Sequence, residues 1–159
     1  MTGPQHLAAS GVVGLALWAA TGDAITVPVA VAAGVLPDVD HLLDYYNRYI
    51  RRDWRRIFLL LHGWEYLAVA FGLYLFVFRA PWMLGVALGY MTQIGGDQIF
   101  NGGRWFSYLL VGRAAVGFRS SRILPHEHPN SYEAFVRSMP FARARVRKWF
   151  EERATPRFS

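Results

Sequence analysis

The residues best suited to chemistry in this sequence are histidines and aspartates at the borders of apolar segments. They are His6, Asp38, Asp40, His41, His62 and Asp97. Imidazole nitrogens and carboxylate oxygens together suit zinc, manganese or iron, whereas copper(I) prefers softer ligands. Acids and histidines are costly to bury among apolar side chains, so they usually face one another or a cavity. The pattern predicts a site for a divalent metal ion, with zinc or manganese as the expected ion.

Two pairs of polar residues have the spacing that places side chains on one face of a helix. His62 and Glu65 are three positions apart, and Gln93 and Asp97 are four positions apart. The sequence predicts His62 about 7–8 Å inside the third apolar segment, and Asp97 about 6 Å before the end of the fourth. A carboxylate that does not bind the metal can act as general base on a bound water. Glu65 and Asp97 are therefore the predicted catalytic residues.

The segments that must position these residues are almost free of charge. The chain of 159 residues is 53% hydrophobic, yet 18% of its residues are charged, and between residues 7 and 36 the only ionisable residue is Asp23. A soluble amphipathic bundle would carry charges every few residues on each helix. This segregation favours a membrane protein. The absence of cysteine excludes thiolate zinc sites, disulfides and thiol catalysis.

Four apolar segments are predicted to be transmembrane helices: residues 5–21, 24–36, 57–78 and 81–100. The second stops at Pro37 and is shorter than the ~20 residues of a full span. It is therefore re-entrant or a buried hairpin arm, unless a thinner bilayer or continuation of the helix beyond the proline makes up the missing length. Arginines concentrate in the loop 38–56 and after Asn101, which the positive-inside rule places in the cytoplasm. The prediction is an all-α polytopic membrane protein with both termini cytoplasmic. All the candidate ligands then lie at one depth.

The chain is predicted to divide into a four-helix membrane domain, residues 1–103, and a basic C-terminal region, residues 104–159. That region contains an interfacial or packed helix over 104–118, interrupted by Arg113, and a final helix over 131–150. Its arginines, within a net charge of +6, favour contact with the lipid bilayer and its anionic headgroups. No nucleic-acid partner is expected, because no binding motif accompanies the charge. The tripeptide at 126–128, between two prolines, is interpreted as a solvated turn.

Several of these residues together resemble a known family. His6 opens an apolar helix, the run Leu36-Pro37-Asp38-Val39-Asp40-His41 follows the second segment, a histidine starts the third, and Gly89-Tyr90-Met91 leads to Asp97. The pattern, over residues 5–101, resembles the YdjM-like membrane-bound metal-dependent hydrolases of the bacterial inner membrane. The resemblance implies that His6, Asp38, Asp40, His41, His62 and Asp97 bind metal.

Two positions differ from the pattern of that family. A Thr-His-Ser-like run, typically preceded by arginine, is replaced by Leu61-His62-Gly63. A histidine four residues before the last aspartate is replaced by Gln93. Glutamine is a poor ligand for zinc or iron, so one metal is lost, the metal is different, or Glu65 substitutes from the facing helix.

Three functions are compatible with the sequence. The first is a membrane-embedded metal-dependent hydrolase, open to the cytoplasmic interface and acting on an ester such as a lipid phosphoester. The second is a non-catalytic membrane protein whose polar residues form a structural or metal-binding network, since interhelical hydrogen bonds average only ~0.6 kcal/mol and need not imply catalysis. The third is a small ion or solute carrier that uses the intramembrane acids as a relay.

Overall fold

The chain folds into α-helices joined by short connections. The computed structural model describes residues 1–51, 53, 55–101, 103–124, 144–145 and 148. The helices are α1 (Gly3–Thr21), α2 (Thr26–Val35), α3 (His41–Tyr45), α4 (Trp64–Phe76), α5 (Pro81–Phe100), α6 (Leu110–Ala115) and α7 (Ser120–Ile123). A 3₁₀ turn, Leu36–Asp40, joins α2 to α3, and a π-helical turn, Tyr46–Ile50, follows α3. No strand occurs in these ranges, so the predicted all-α fold class is confirmed.

The first and fourth predicted segments correspond closely to α1 and α5. At the start of α1 the Gln5 side-chain oxygen accepts a hydrogen bond from the Thr2 backbone N–H at 2.9 Å. The helix ends at Gly22, whose φ of +73° is a conformation that favours glycine. Pro81 begins α5, where a proline loses no helical hydrogen bond. Local capping signals therefore set these boundaries.

The second predicted segment does not stop at Pro37, and much of the predicted loop over 38–56 is helical. Pro37 lies in the first turn of the 3₁₀ helix, where its missing N–H removes no hydrogen bond. The helical path then continues through α3 and the π-helical turn to Ile50. Of the alternatives for this short segment, continuation beyond the proline describes the structure.

The third predicted segment begins seven residues too early, because residues 57–63 are not helical. This stretch packs beside the later part of the chain: the Ile57 N–H donates to the Phe118 carbonyl at 2.9 Å, and the Trp64 N–H donates to the Tyr108 carbonyl at 2.9 Å. Gly63 is extended at φ −139° and ψ 133°, and α4 starts after it. His62 therefore precedes α4, and the prediction that it shares a helix face with Glu65 is wrong.

The continuous helix predicted over 104–118 is also wrong. Only the six residues of α6 are helical there, and the chain then turns at Gly117, whose φ is +63°. Arg113 does not interrupt a surface helix but is a buried residue of α6. The predicted helix over 131–150 and the turn at 126–128 lie outside the described residues, apart from 144–145 and 148. The proposed domain boundary after residue 103 stays a prediction.

Helices α1, α2 and α5 form the tightest part of the structure, and they meet through small residues. A Cβ added to Gly14 would lie 2.7 Å from the Val27 Cα. One added to Gly34 would overlap the Ser10 side chain, and one added to Gly89 would overlap the Ala30 carbonyl oxygen. Backbones approach this closely only where side chains are small, which is the usual way in which helices pack in membranes.

Among the described residues, one helical run is long and apolar enough to cross a membrane. It comprises the 20 residues Thr26–Tyr45, whereas α4 is apolar but shorter. Helices α1 and α5 have sufficient length, but their glycines and polar side chains make them less apolar. The structure therefore confirms helices but does not confirm the four predicted spans.

We expect Gly89→Ala to lower the free energy of unfolding by about 1–3 kcal/mol, because the added methyl group overlaps the backbone of α2. Thermal unfolding of the purified protein measures this. Gly95→Ala in the same helix is the matched control, because a Cβ there meets nothing within 4 Å. The control should gain up to about 1 kcal/mol from helix propensity. Equal stability of the two variants would contradict the packing of α2 against α5.

Candidate metal centre

Five of the six predicted ligands come together at one end of the helices. His6 lies near the start of α1, Asp38 in the 3₁₀ turn, His41 at the start of α3, His62 just before α4, and Asp97 near the end of α5. They form two overlapping groups, Asp38–His41–His62 and His6–Asp38–Asp97. In each group the ligand atoms lie within 4.8 Å of one another, and Asp38 belongs to both.

The distances between these atoms are those of groups that surround a small cation. His6 Nε2 lies 3.1 Å from Asp97 Oδ1, and His62 Nε2 lies 3.3 Å from Asp38 Oδ1 and 3.5 Å from Asp97 Oδ2. Two ligands about 2.1 Å from a tetrahedral ion stand about 3.4 Å apart. Asp97 Oδ1 also accepts a hydrogen bond from the Met1 amino group at 2.6 Å. These buried histidines and aspartates could hold a metal ion.

Asp40 contacts one of the candidate ligands and belongs to neither group. Its Oδ1 lies 3.0 Å from His62 Nδ1, and its Oδ2 accepts a hydrogen bond from the Leu61 N–H at 2.7 Å. A carboxylate on the far nitrogen of a metal-binding histidine fixes the ring and its tautomer. The geometry therefore favours an orienting role for Asp40 over the direct ligation predicted from the sequence.

The charge of His62 depends on the surrounding carboxylates. Burial lowers the pKa of His62, but interactions with Asp38 and Asp40, together with the charge of Asp97, outweigh it and raise the pKa to about 9. Without a cation, a proton on His62 thus partly balances the carboxylates. A metal ion would replace that proton, because an imidazole nitrogen must be deprotonated to bind metal.

Gln93 lies at the centre of the cluster and is completely buried. Its Nε2 donates to Asp38 Oδ1 at 2.6 Å and to Asp97 Oδ2 at 3.4 Å, and lies 3.3 Å from His62 Nε2. The predicted proximity of Gln93 and Asp97 on one face of a helix is confirmed in α5.

Two residues that the sequence did not single out as functional hold the segment that carries His62. The Tyr90 hydroxyl donates to the Leu61 carbonyl at 2.6 Å and accepts from the Gly63 N–H at 3.0 Å. The Arg113 guanidinium donates to the carbonyls of Leu59 and His62. The signal for Arg113 is a single arginine within an apolar stretch, because a buried cation needs several acceptors.

Glu65, a predicted catalytic residue, contacts another part of the structure. Its Oε1 accepts a hydrogen bond from the Val111 N–H at 3.0 Å, near the start of α6. It belongs to neither of the two possible metal-binding groups. These contacts favour a capping role and do not support substitution of Glu65 for a missing ligand. Catalysis by Glu65 stays a prediction.

Comparison with known proteins gives no relative from which a function can be transferred. No family model matches the sequence, and no curated protein or solved structure matches it. The resemblance to the YdjM-like hydrolases therefore stays a prediction. The function is inferred from the geometry of the cluster.

We expect Arg113→Ala to lower the free energy of unfolding by about 2–6 kcal/mol, since two buried carbonyls each lose a partner at about 1–3 kcal/mol. Chemical denaturation of the purified protein measures the change. Arg122→Ala, at an exposed position of α7, is the matched control and should change stability by less than about 0.5 kcal/mol. Similar stabilities of the two variants would show that Arg113 does not support the segment.

Proposed function

We propose that this protein is a membrane-embedded, metal-dependent hydrolase that acts on a phosphoester of a lipid. The observation that carries the proposal is the cluster itself. Residues separated by up to 91 positions meet in one buried site, as His6 and Asp97 do. Burying several acids and histidines together is costly unless a cation or a proton compensates them.

The donor atoms suit a resident divalent ion. His6, His62, Asp38 and Asp97 supply nitrogen and carboxylate oxygen, which zinc and manganese both accept. When bound, such an ion would activate water and stabilise negative charge on the oxygens of an ester. Asp40 would orient His62. Asp97 has one oxygen near His6 and the other near His62, so an oxygen that does not bind the ion would be able to accept a proton.

Apolar outer surfaces support the membrane location. Large hydrophobic side chains are exposed along the helices, including Leu15 and Trp18 on α1, Phe76 on α4 and Phe100 on α5. Large exposed apolar surfaces often mark a membrane or partner interface. The buried interior contains a hydrophobic core and also polar residues, including His6, His62, Asp97 and Arg113.

The accessible edge of the cluster favours a lipid substrate. Asp38 and His41 are the members of the two groups that are substantially exposed, at 26% and 31%, whereas His6, His62 and Asp97 are at most 2% exposed. Leu36, Val39, Leu42 and Leu43 surround this edge in the chain, and each is more than half exposed. A substrate that reaches the cluster here passes apolar side chains, which acyl chains would contact.

Basic residues that follow this edge in the sequence suit an anionic headgroup. Arg51, Arg55 and Arg56 are exposed, and Arg52 lies outside the described residues. An arginine near an anionic membrane surface contributes about 1 kcal/mol of attraction. Together with the resemblance to the YdjM-like hydrolases, these arginines support our proposal that the protein lies in the bacterial inner membrane as a multi-pass protein with both termini in the cytoplasm.

We expect the purified wild-type protein to contain stoichiometric zinc or manganese, and His62→Ala and Asp97→Ala to lose it. Each variant removes a buried ligand from the cluster. Elemental analysis of the protein after gel filtration measures the metal content. Asp23→Asn is the control, because Asp23 follows the opposite end of α1 and should leave the metal content unchanged.

The alternative is a non-catalytic membrane protein in which these residues form a structural polar network. The hydrogen bonds from Gln93 to Asp38 and Asp97 favour this alternative. A structural network requires that the wild type binds no metal and that Asp97→Asn folds and functions normally. Metal-free wild-type protein after exposure to both ions would therefore contradict the hydrolase.

We expect the metal-loaded protein to release phosphate from phosphatidic acid in vesicles at least about tenfold more efficiently than from glycerol 3-phosphate. Burial of two methylenes at about 0.8 kcal/mol each already supplies that factor. The ratio of the two kcat/KM values measures the preference. Val39→Asp, at an exposed apolar position of the accessible edge, should reduce this ratio, whereas equal rates on both compounds would contradict a lipid substrate.

A further inference from the structure

The side-chain amide of Gln93 can turn either its nitrogen or its oxygen toward the carboxylates of Asp38 and Asp97. Which atom faces them depends on whether a cation lies between them. Its nitrogen faces Asp38, Asp97 and His62 at 2.6–3.4 Å. Its oxygen is buried and has no hydrogen-bond partner within the described part of the chain. The amide N–H groups thus supply partial positive charge where the carboxylates would otherwise repel one another.

The reverse orientation is unfavourable without a cation and favourable with one. With the oxygen turned inward, Oε1 would face the carboxylates of Asp38 and Asp97 at about 3 Å, and the proton on His62 would satisfy at most one of these acceptors. An uncompensated acceptor in a buried site costs about 1–3 kcal/mol. If a cation lies between Oε1 and the two carboxylates, it attracts all of these oxygens, and the inward orientation of Oε1 becomes favourable. Rotation of the amide by half a turn about the Cγ–Cδ bond exchanges its nitrogen and oxygen, and no covalent bond changes.

The geometry points to Gln93 as a metal ligand that turns its Oε1 toward the ion and makes the site selective for a hard, six-coordinate cation such as Mn²⁺. This inference rests on the proposed function and specifies which metal ion the proposed site prefers. Oε1, which has no hydrogen-bond partner in the described part of the chain, then has the ion as its partner, and Nε2 takes the position that Oε1 occupies now.

The selectivity follows from the number of ligands that each ion requires. Zinc in a catalytic site is satisfied by three protein ligands and a water, and the group His6–Asp38–Asp97 already supplies three. Manganese accepts carbonyl and carboxylate oxygens and takes an octahedral set, so it gains from a fourth protein ligand. Loss of the amide oxygen should therefore weaken manganese binding and leave zinc binding almost unchanged.

The experiment is calorimetric titration of Mn²⁺ and of Zn²⁺ into the metal-free full-length wild type, Gln93→Met and Gln93→Glu. Methionine has nearly the size of glutamine and lacks the amide, whereas glutamate restores an oxygen at the same position. We expect Gln93→Met to weaken Mn²⁺ binding by at least about tenfold, Zn²⁺ binding by less than about threefold, and Gln93→Glu to recover Mn²⁺ binding. Thermal unfolding of the metal-free variants checks that both fold.

The outcomes separate this inference from the proposed function. If the wild type binds neither ion, the metal centre and the ligand role of Gln93 both fail. If the wild type binds metal and Gln93→Met weakens both ions equally, or weakens neither, the metal centre stands and the ligand role of Gln93 is overturned. Failure of a folded Gln93→Glu to bind Mn²⁺ more tightly than Gln93→Met also overturns it.

Discussion

The close approach of the α2 backbone to α1 and α5 determines the rest of this structure. Small residues recur every four positions on the buried faces of these helices. The rows are Ser10 and Gly14 on α1, Thr26, Ala30 and Gly34 on α2, and Gly85 and Gly89 on α5. At Gly14, Gly34 and Gly89 even a methyl group would overlap the neighbouring helix.

The same rows continue into the candidate metal centre. His6 precedes Ser10 by four residues, Asp38 follows Gly34 by four, and Gln93 and Asp97 continue the row of Gly89. The spacing that aligns small residues on one helix face therefore also aligns the polar groups beyond them. Tight packing along the helices and convergence of the cluster are consequences of one pattern. The polar side chains of the cluster lie at the end of α1, α2 and α5 beyond the rows of small residues.

From the predicted helices the sequence indicates that the residues of the cluster meet. It does not predict the conformation of the segment 57–63, which carries His62. The bounds of α5 follow from Pro81 and from the Asn-Gly-Gly run that begins at Asn101, and the pairing of Gln93 with Asp97 follows from helical spacing. The stretch 57–63 is as apolar as a helix, so periodicity does not distinguish the two conformations. Its non-helical conformation depends on partners distant in sequence, namely Tyr108, Arg113 and Phe118. Tertiary contacts of this kind leave no local signal.

Close helix packing positions some residues of the cluster, whereas hydrogen bonds to the segment 57–63 position His62, and these two kinds of support have different consequences. His6 and Asp97 are placed by helices whose backbones lie close together, and Asp38 by the 3₁₀ turn that directly follows α2. His62 is placed by the Tyr90 hydroxyl and the Arg113 guanidinium, which bind carbonyls of a non-helical segment. Its ring is then oriented by Asp40, itself fixed by the Leu61 N–H. Loss of the Arg113 contacts would therefore affect the position of His62 first, because these contacts are made to the His62 carbonyl and to the segment before it.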